Sequence, residues 1–267
     1  MIALTQTQRS LAIDDLTTGI LSWRLSQFLA WQDIKQRYRR STLGPFWLTL
    51  SFGIQMLAMG LLSSFLLGGS IQKALPYVCA GMLFWTMITQ IVTEGAALFV
   101  AASRFITQIK CPLTVFLMQT IWRNGIVAAH NATIYIIIAG ILVVVPGSSI
   151  LLWPFGFLLD ILCVSWIALV AAVVSARYRD VPLIIQNILT IVFWFTPLMY
   201  FPEQLGSKRF LADYNPLTHL IALVREPLLG GTPTTSDWLV VLALTVVGWA
   251  CTFLFFARFR SRIVYWL

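Results

Sequence analysis

Charge is what this 267-residue sequence has least of: Asp, Glu, Lys and Arg together make up only 10% of it. A water-soluble domain carries about a quarter of its residues charged, so a soluble globular protein is excluded. No G-x-x-x-x-G-K-[ST] loop occurs, and the chain therefore cannot cradle ATP phosphates in the usual way. D-x-D, H-E-x-x-H and G-x-S-x-G are missing as well, which argues against catalysis by this chain alone. Its four cysteines, Cys79, Cys111, Cys163 and Cys251, are scattered without metal-ligand spacing and read as small apolar residues, not as a metal site. The first 40 residues hold no apolar core behind a charged start, so no signal peptide is read there and insertion is expected through the first span.

What fills the sequence instead is apolar: 59% hydrophobic residues, with 11 Trp and 18 Phe. Crossing about 30 Å of hydrocarbon takes about 20 such residues as a helix. Six stretches qualify, at about 46–68, 77–99, 124–145, 151–175, 183–201 and 238–256. They lack the short alternating segments of a barrel, and lipid leaves no unpaired backbone unpunished. The fold class expected is all-α integral membrane with six transmembrane helices. The third stretch is preceded by an approach from Leu113 that contains Arg123.

Lys and Arg mark the cytoplasmic side. Segments 1–45, 100–123, 176–182 and 257–267 hold 14 of the 18 basic residues, which places both termini inside. The outer segments keep Lys73, Lys208, Arg209 and Arg225, balanced by Glu203, Asp213, Glu226 and Asp237. Three units follow: a cytoplasmic segment 1–45, a spanning domain 46–256 and a basic tail 257–267. The charge of +8 is then mostly topology with contact to anionic membrane lipids, and not nucleic-acid binding.

Within the first unit, residues 20–38 wind into an amphipathic helix. Ser22, Ser26, Asp33 and Arg37 share a narrow polar wedge, while Trp23, Leu25, Phe28, Trp31 and Ile34 cover the rest. This is the pattern of a helix lying in the membrane interface, either a passive anchor or a lever moved by a cytoplasmic partner. Gly44-Pro45 ends it and starts the first span.

Ionisable groups inside spans are costly enough to be functional candidates. Asp160 falls near the bilayer centre, facing a water path or held inside the bundle. Glu94 is expected to pair with Arg123, and His130 with Asn131 to clamp two helices or carry protons. After the fifth stretch, 202–231 is too broken by Pro202, Pro216 and Pro227 to span and too apolar to be free. Short re-entrant gate helices are expected there, the second starting at Asn215-Pro216, with an ordinary loop as the alternative.

Several motifs, in this order, resemble the permease subunits of ABC-2 type exporters, in particular those of polysaccharides such as O-antigen, capsule or teichoic acid. They are "RYRRSTLGPFW" at 37–47, "IKCPL" at 109–113, "WRN" at 122–124 with "HN" at 130–131, "ARYRDV" at 176–181, "TPLMYFPE" at 196–203 and "YNPLTHLI" at 214–221. The resemblance implies a homodimer in the bacterial inner membrane, joined to two copies of an ABC ATPase that uses ATP and Mg, with no cofactor in this chain. It implies docking of the ATPase on 27–37, on the loop of Arg104 and Lys110, and on Arg177, Tyr178, Arg179 and Asp180. Arg37 and Arg39 could meet the pyrophosphate of a lipid-linked glycan. Aromatic faces stack on sugars without fixing a register, which makes Phe46, Trp47, Phe52, Trp194, Phe195 and Tyr200 candidates for a channel wall. Competing expectations are export of a lipid or hydrophobic drug, and a membrane transferase working through Asp160 or His130. A proton-coupled carrier is a further one, against which stand the missing internal repeat and the few membrane charges.

Overall fold

The computed structural model describes residues 6–37, 39, 44, 46–67 and 70–267. Arg40 and Pro45, members of the basic run and of the Gly-Pro joint, lie outside them. In chain order the helices are α1 (Gln6–Leu21), α2 (Trp23–Arg37), α3 (Phe46–Leu67), α4 (Ile71–Ala101), α5 (Ser103–Gln108), α6 (Thr114–Ile141), α7 (Trp153–Arg177), α8 (Val181–Phe195), α9 (Phe210–Asp213), α10 (Pro216–Leu228) and α11 (Thr235–Trp266). Short 3-10 turns at Ser148–Leu152 and Pro202–Lys208 precede α7 and α9. No strand occurs among the described residues.

Among the described residues five stretches are long and apolar enough to cross a membrane: Phe46–Phe65, Ile71–Ala101, Thr114–Ile141, Ser148–Arg177 and Thr235–Trp266. The chain is a multi-pass, all-helical membrane protein. α8 is the exception to the six-span expectation, since its 15 residues rise only about 22 Å. The helix expected over 183–201 stops at Phe195 because Thr196 precedes Pro197. A residue before proline is pushed out of the α region, and Thr196 sits at φ −92°, ψ 130°. Two other boundaries differ. α6 takes in the approach with Arg123 as one helix from Thr114 but ends at Ile141 and not near Val145, and α11 carries the basic segment 257–267 onward as helix to Trp266.

α4 forms the centre of the bundle, packed against α3, α6, α7, α8 and α10. Its approach to α7 depends on Gly95, where a Cβ would stand 2.6 Å from that of Ala168. Gly156 plays the same part between α7 and α10: a Cβ there would stand 2.8 Å from the Leu223 carbonyl oxygen. That neighbour is backbone and cannot rotate away. Gly156→Ala is therefore expected to cost about 1–3 kcal/mol by overpacking, read as a lower Tm of the purified protein in detergent. An unchanged Tm would mean that α10 is free to move off.

The amphipathic segment departs most from expectation. It breaks at Ser22 into α1 and α2, and its polar wedge faces protein. Ser26 and Ala30 are fully buried and Ile34 nearly so; the small residues one turn apart let α2 lie close on α6, where the Ser26 hydroxyl donates to the Val115 carbonyl at 3.2 Å. Trp23, Leu25, Phe28 and Trp31 are left on the outer face.

Candidate functional site

A groove of about 500 Å³ runs between α3, α4 and α8. Its apolar wall is Met59, Met82, Trp85, Leu189, Phe193 and Trp194, with the rings of Trp85 and Phe193 edge to face at 5.7 Å. The rest is polar, although all three helices are apolar by composition: Gln55, Thr86, Thr89, Gln90, Thr93, Gln186 and Thr190. The hydroxyls of Thr86, Thr89 and Thr190 donate to carbonyls of their own helices, at Leu83, Trp85 and Gln186. Their oxygens therefore present lone pairs, beside amides that can both donate and accept. Gln55, Gln90 and Gln186 are exposed in the single chain.

Glu94 closes the groove at the end where basic residues collect. Its Oε2 accepts from Arg123 Nη2 at 2.8 Å and Asn124 Nδ2 at 2.7 Å, and its Oε1 lies 3.4 Å from Arg37 Nη2. Arg123 Nη1 reaches Asp33 Oδ2 at 2.6 Å, and Gln119 donates to the same oxygen at 2.7 Å. One guanidinium thus joins the carboxylate of α2 to that of α4. Farther along this end, Asp15 of α1 is buried and accepts from the backbone N–H groups of Leu113 and Thr114 at 3.1 and 3.0 Å. It supplies the cap that the amino terminus of α6 lacks in its own sequence, and it holds Arg260 Nε of α11 at 2.7 Å. The nearby Cys111 thiol is pushed up, first by burial and then by the Asp15 charge, which makes it a poor nucleophile.

At the opposite end the chain leaving α8 is pinned. The Pro197 carbonyl accepts from Arg225 Nη1 at 2.7 Å and from the Tyr77 hydroxyl at 3.1 Å. The buried Arg225 guanidinium lies 4.0 Å from the centre of the Tyr77 ring. Asn215 donates to Thr196 Oγ1 at 2.9 Å, and its own oxygen caps α10 at Leu217 N.

Compared with models of protein families, residues 24–229 match the ABC-2 type transporter. The chain belongs to this family. It is also similar to the O-antigen export system permease protein RfbA of Myxococcus xanthus, 23% identical over 238 residues that cover 86% of this chain and 90% of the relative. Membership makes the chain a transport permease, with ATP hydrolysis in a separate subunit.

Of the residues singled out in the sequence, this permease brings together Arg37, Glu94 and Arg123. Arg104 in α5 and Lys110 just after it are exposed, and so are Arg177 at the end of α7 and Tyr178, Arg179 and Asp180 before α8. Arg179 Nη2 donates to the Trp266 carbonyl at 3.2 Å and Arg177 lies 5.6 Å from the Trp266 ring, so this loop is braced by the end of α11. Trp194 lines the groove. Tyr200 lines a smaller apolar hollow of about 180 Å³ with Phe193 and Met199. Phe46, Trp47 and Phe195 are exposed outside both. Arg39 is exposed too.

Two expectations are corrected, and one open alternative is narrowed. Phe52 is buried in the core and not on the groove, although it lies one turn from Gln55 on α3. His130 Nδ1 bonds the Ile126 carbonyl one turn back in its own helix at 2.8 Å, no bond from His130 to a second helix occurs among the described residues, and Asn131 Oδ1 is buried without a partner among them. Asp160, for which a water path and a place inside the bundle were both open, is completely buried, with neither oxygen partnered among the described residues.

Proposed function

We propose that two copies of this permease form a channel for a lipid-linked polysaccharide of the O-antigen or capsule type. Transport would be driven by two ABC ATPase subunits that bind and hydrolyse ATP with Mg²⁺. The observation that carries this reading is the row of amides and hydroxyl oxygens of the α3–α4–α8 groove, interleaved with Trp85 and Trp194. Polar groups at membrane depth are costly against lipid, and a second copy set over this face would enclose them. A glycan offers many hydroxyl donors and flat C–H faces, which match lone pairs, amides and aromatic rings without demanding one register. The export role named for the Myxococcus xanthus relative points the same way.

In this reading the basic end is cytoplasmic, in the bacterial inner membrane, with both termini inside. α8 completes a sixth crossing together with the non-helical 196–201, and α9 and α10 form the outer gate. The exposed loops of Arg104 and Lys110 and of Arg177–Tyr178–Arg179–Asp180 receive the ATPase. Arg37, which reaches Glu94 at the foot of the groove, takes the pyrophosphate of the lipid carrier together with the exposed Arg39, a task for which guanidinium geometry is suited.

The test replaces two amides of the groove. Gln90→Leu combined with Gln186→Leu is expected to lower glycan export at least tenfold, measured as surface glycan in cells carrying the variant, while the ATPase still copurifies at a one-to-one ratio. Full export by the double variant would overturn the groove as the path.

A further inference from the structure

His219 of α10 is held between two acceptors. Its Nε2 lies 2.9 Å from the Asp213 carbonyl oxygen at the end of α9. Its Nδ1 lies 2.6 Å from Asp237 Oδ1 in the first turn of α11. The other carboxylate oxygen of Asp237 is committed to Thr234, accepting from the backbone N–H at 2.8 Å. A carbonyl oxygen only accepts, so Nε2 must carry a hydrogen. A neutral imidazole then has no proton left for Nδ1, and an ionised Asp237 has none to give. At 2.6 Å two lone pairs would face each other. The geometry is satisfied only when the His219–Asp237 pair holds one more proton than a neutral ring beside a carboxylate.

We propose that this pair is a proton-held latch. With the proton it ties α9, α10 and α11 together; when the proton leaves, the one remaining ring hydrogen goes to the charged Asp237 carboxylate, the stronger acceptor, so the Asp213 contact is lost and the segment of α9 and the turn before it is released. The other titratable and charged groups on the packed elements do not replace the contact. Asp213 has its carboxylate 3.5 Å from Arg209 Nε, the 3-10 turn Ser148–Leu152 has no titratable side chain, and the groups of α4 and α7 meet α10 farther on. Tyr77 does so at Arg225, and Asp160 lies one turn beyond Gly156, which packs on Leu223. Because the latched form binds one proton more than the released form, raising the pH favours release. The placement of this latch on the outer gate rests on the topology proposed above; the proton count does not.

The chain has only two histidines, so His130→Asn leaves His219 as the sole imidazole signal. The experiment is ¹⁵N NMR of that variant in nanodiscs from about pH 5 to 8, with amide hydrogen exchange of residues 202–216 over the same range. Both ring nitrogens are expected to be protonated at the low end, one proton is expected to leave in a single step, and exchange of 202–216 is expected to rise at least tenfold across it. In His219→Gln the exchange is expected to be independent of pH. A ring that does not change protonation in this range, or exchange that ignores the change, overturns the latch. Neither readout uses transport, sidedness or the ATPase, so failure here leaves the channel reading standing, and failure of the groove test leaves the latch standing.

Discussion

Asp15→Ala is expected to be the most damaging single substitution at the basic end, with a loss of about 3–5 kcal/mol. The carboxylate is buried in α1, yet its partners lie in α6 and α11. Removing it strips the amino terminus of α6 of its cap and leaves the Arg260 guanidinium, only a quarter exposed, beside an empty place. Asp15→Asn keeps one acceptor oxygen for the α6 N–H groups and loses the charge opposite Arg260. It should therefore fall between wild type and Asp15→Ala in thermal unfolding followed in detergent. Equal stability of all three would mean that α1 does not anchor the bundle. If stability falls while α6 remains helical, the damage lies in the joint among the three helices and not in α6 itself.

Arg123→Gln is expected to have the second largest effect. The guanidinium spans Asp33 and Glu94, and its loss leaves two carboxylates about a quarter to a third exposed without their shared cation. Discounted for that exposure, a cost of about 2–3 kcal/mol follows. Glu94→Gln by itself is milder, because Arg123 keeps Asp33. The double variant Glu94→Gln with Arg123→Gln should recover part of the loss, and a double-mutant cycle measures how much. Strict additivity would show that the pair is decorative. Transport should fall more than stability in Arg123→Gln, since this guanidinium, with the weaker Arg37–Glu94 contact, connects α2 to the wall of the groove.

Much of the bundle is legible in the sequence because long uncharged runs have one solution in lipid. The regions of α3, α4, α6, α7 and α11 were all readable this way, and so was the start of α10, where Asn215 precedes Pro216. What a helical wheel does not reveal is what a wedge faces. Ser26, Asp33 and Arg37 look like a wet stripe until the carboxylate of α4 and the guanidinium of α6 are placed against them, some 60 to 90 residues away in the chain. Asp15 was passed over for the same reason, being an ordinary acid in a polar segment until α6 arrives without a cap. The early end of α8 was there to be read in Thr196-Pro197. The groove was missed because attention to charge inside spans overlooks glutamine; Gln55, Gln90 and Gln186 on three apolar helices were the available signal. Arg225 counted only as one of four outer basic residues balanced by four acids, whereas the fold buries it over Tyr77, with a 3.3 Å contact to Glu226.

α11 crosses the whole molecule as one unbroken helix of 32 residues, capped at Thr234 and running to Trp266. At 1.5 Å per residue it is a strut about 48 Å long, so a tilt of about 5° swings one tip about 4 Å relative to the other. Its head is fastened through Asp237 to His219, and its foot through Arg260 to Asp15 and through Trp266 to Arg179. With no proline between those fastenings to absorb a bend, any shove on the loop that carries Arg179 arrives at the far side of the bilayer as displacement, without any side chain in between having to change its partner.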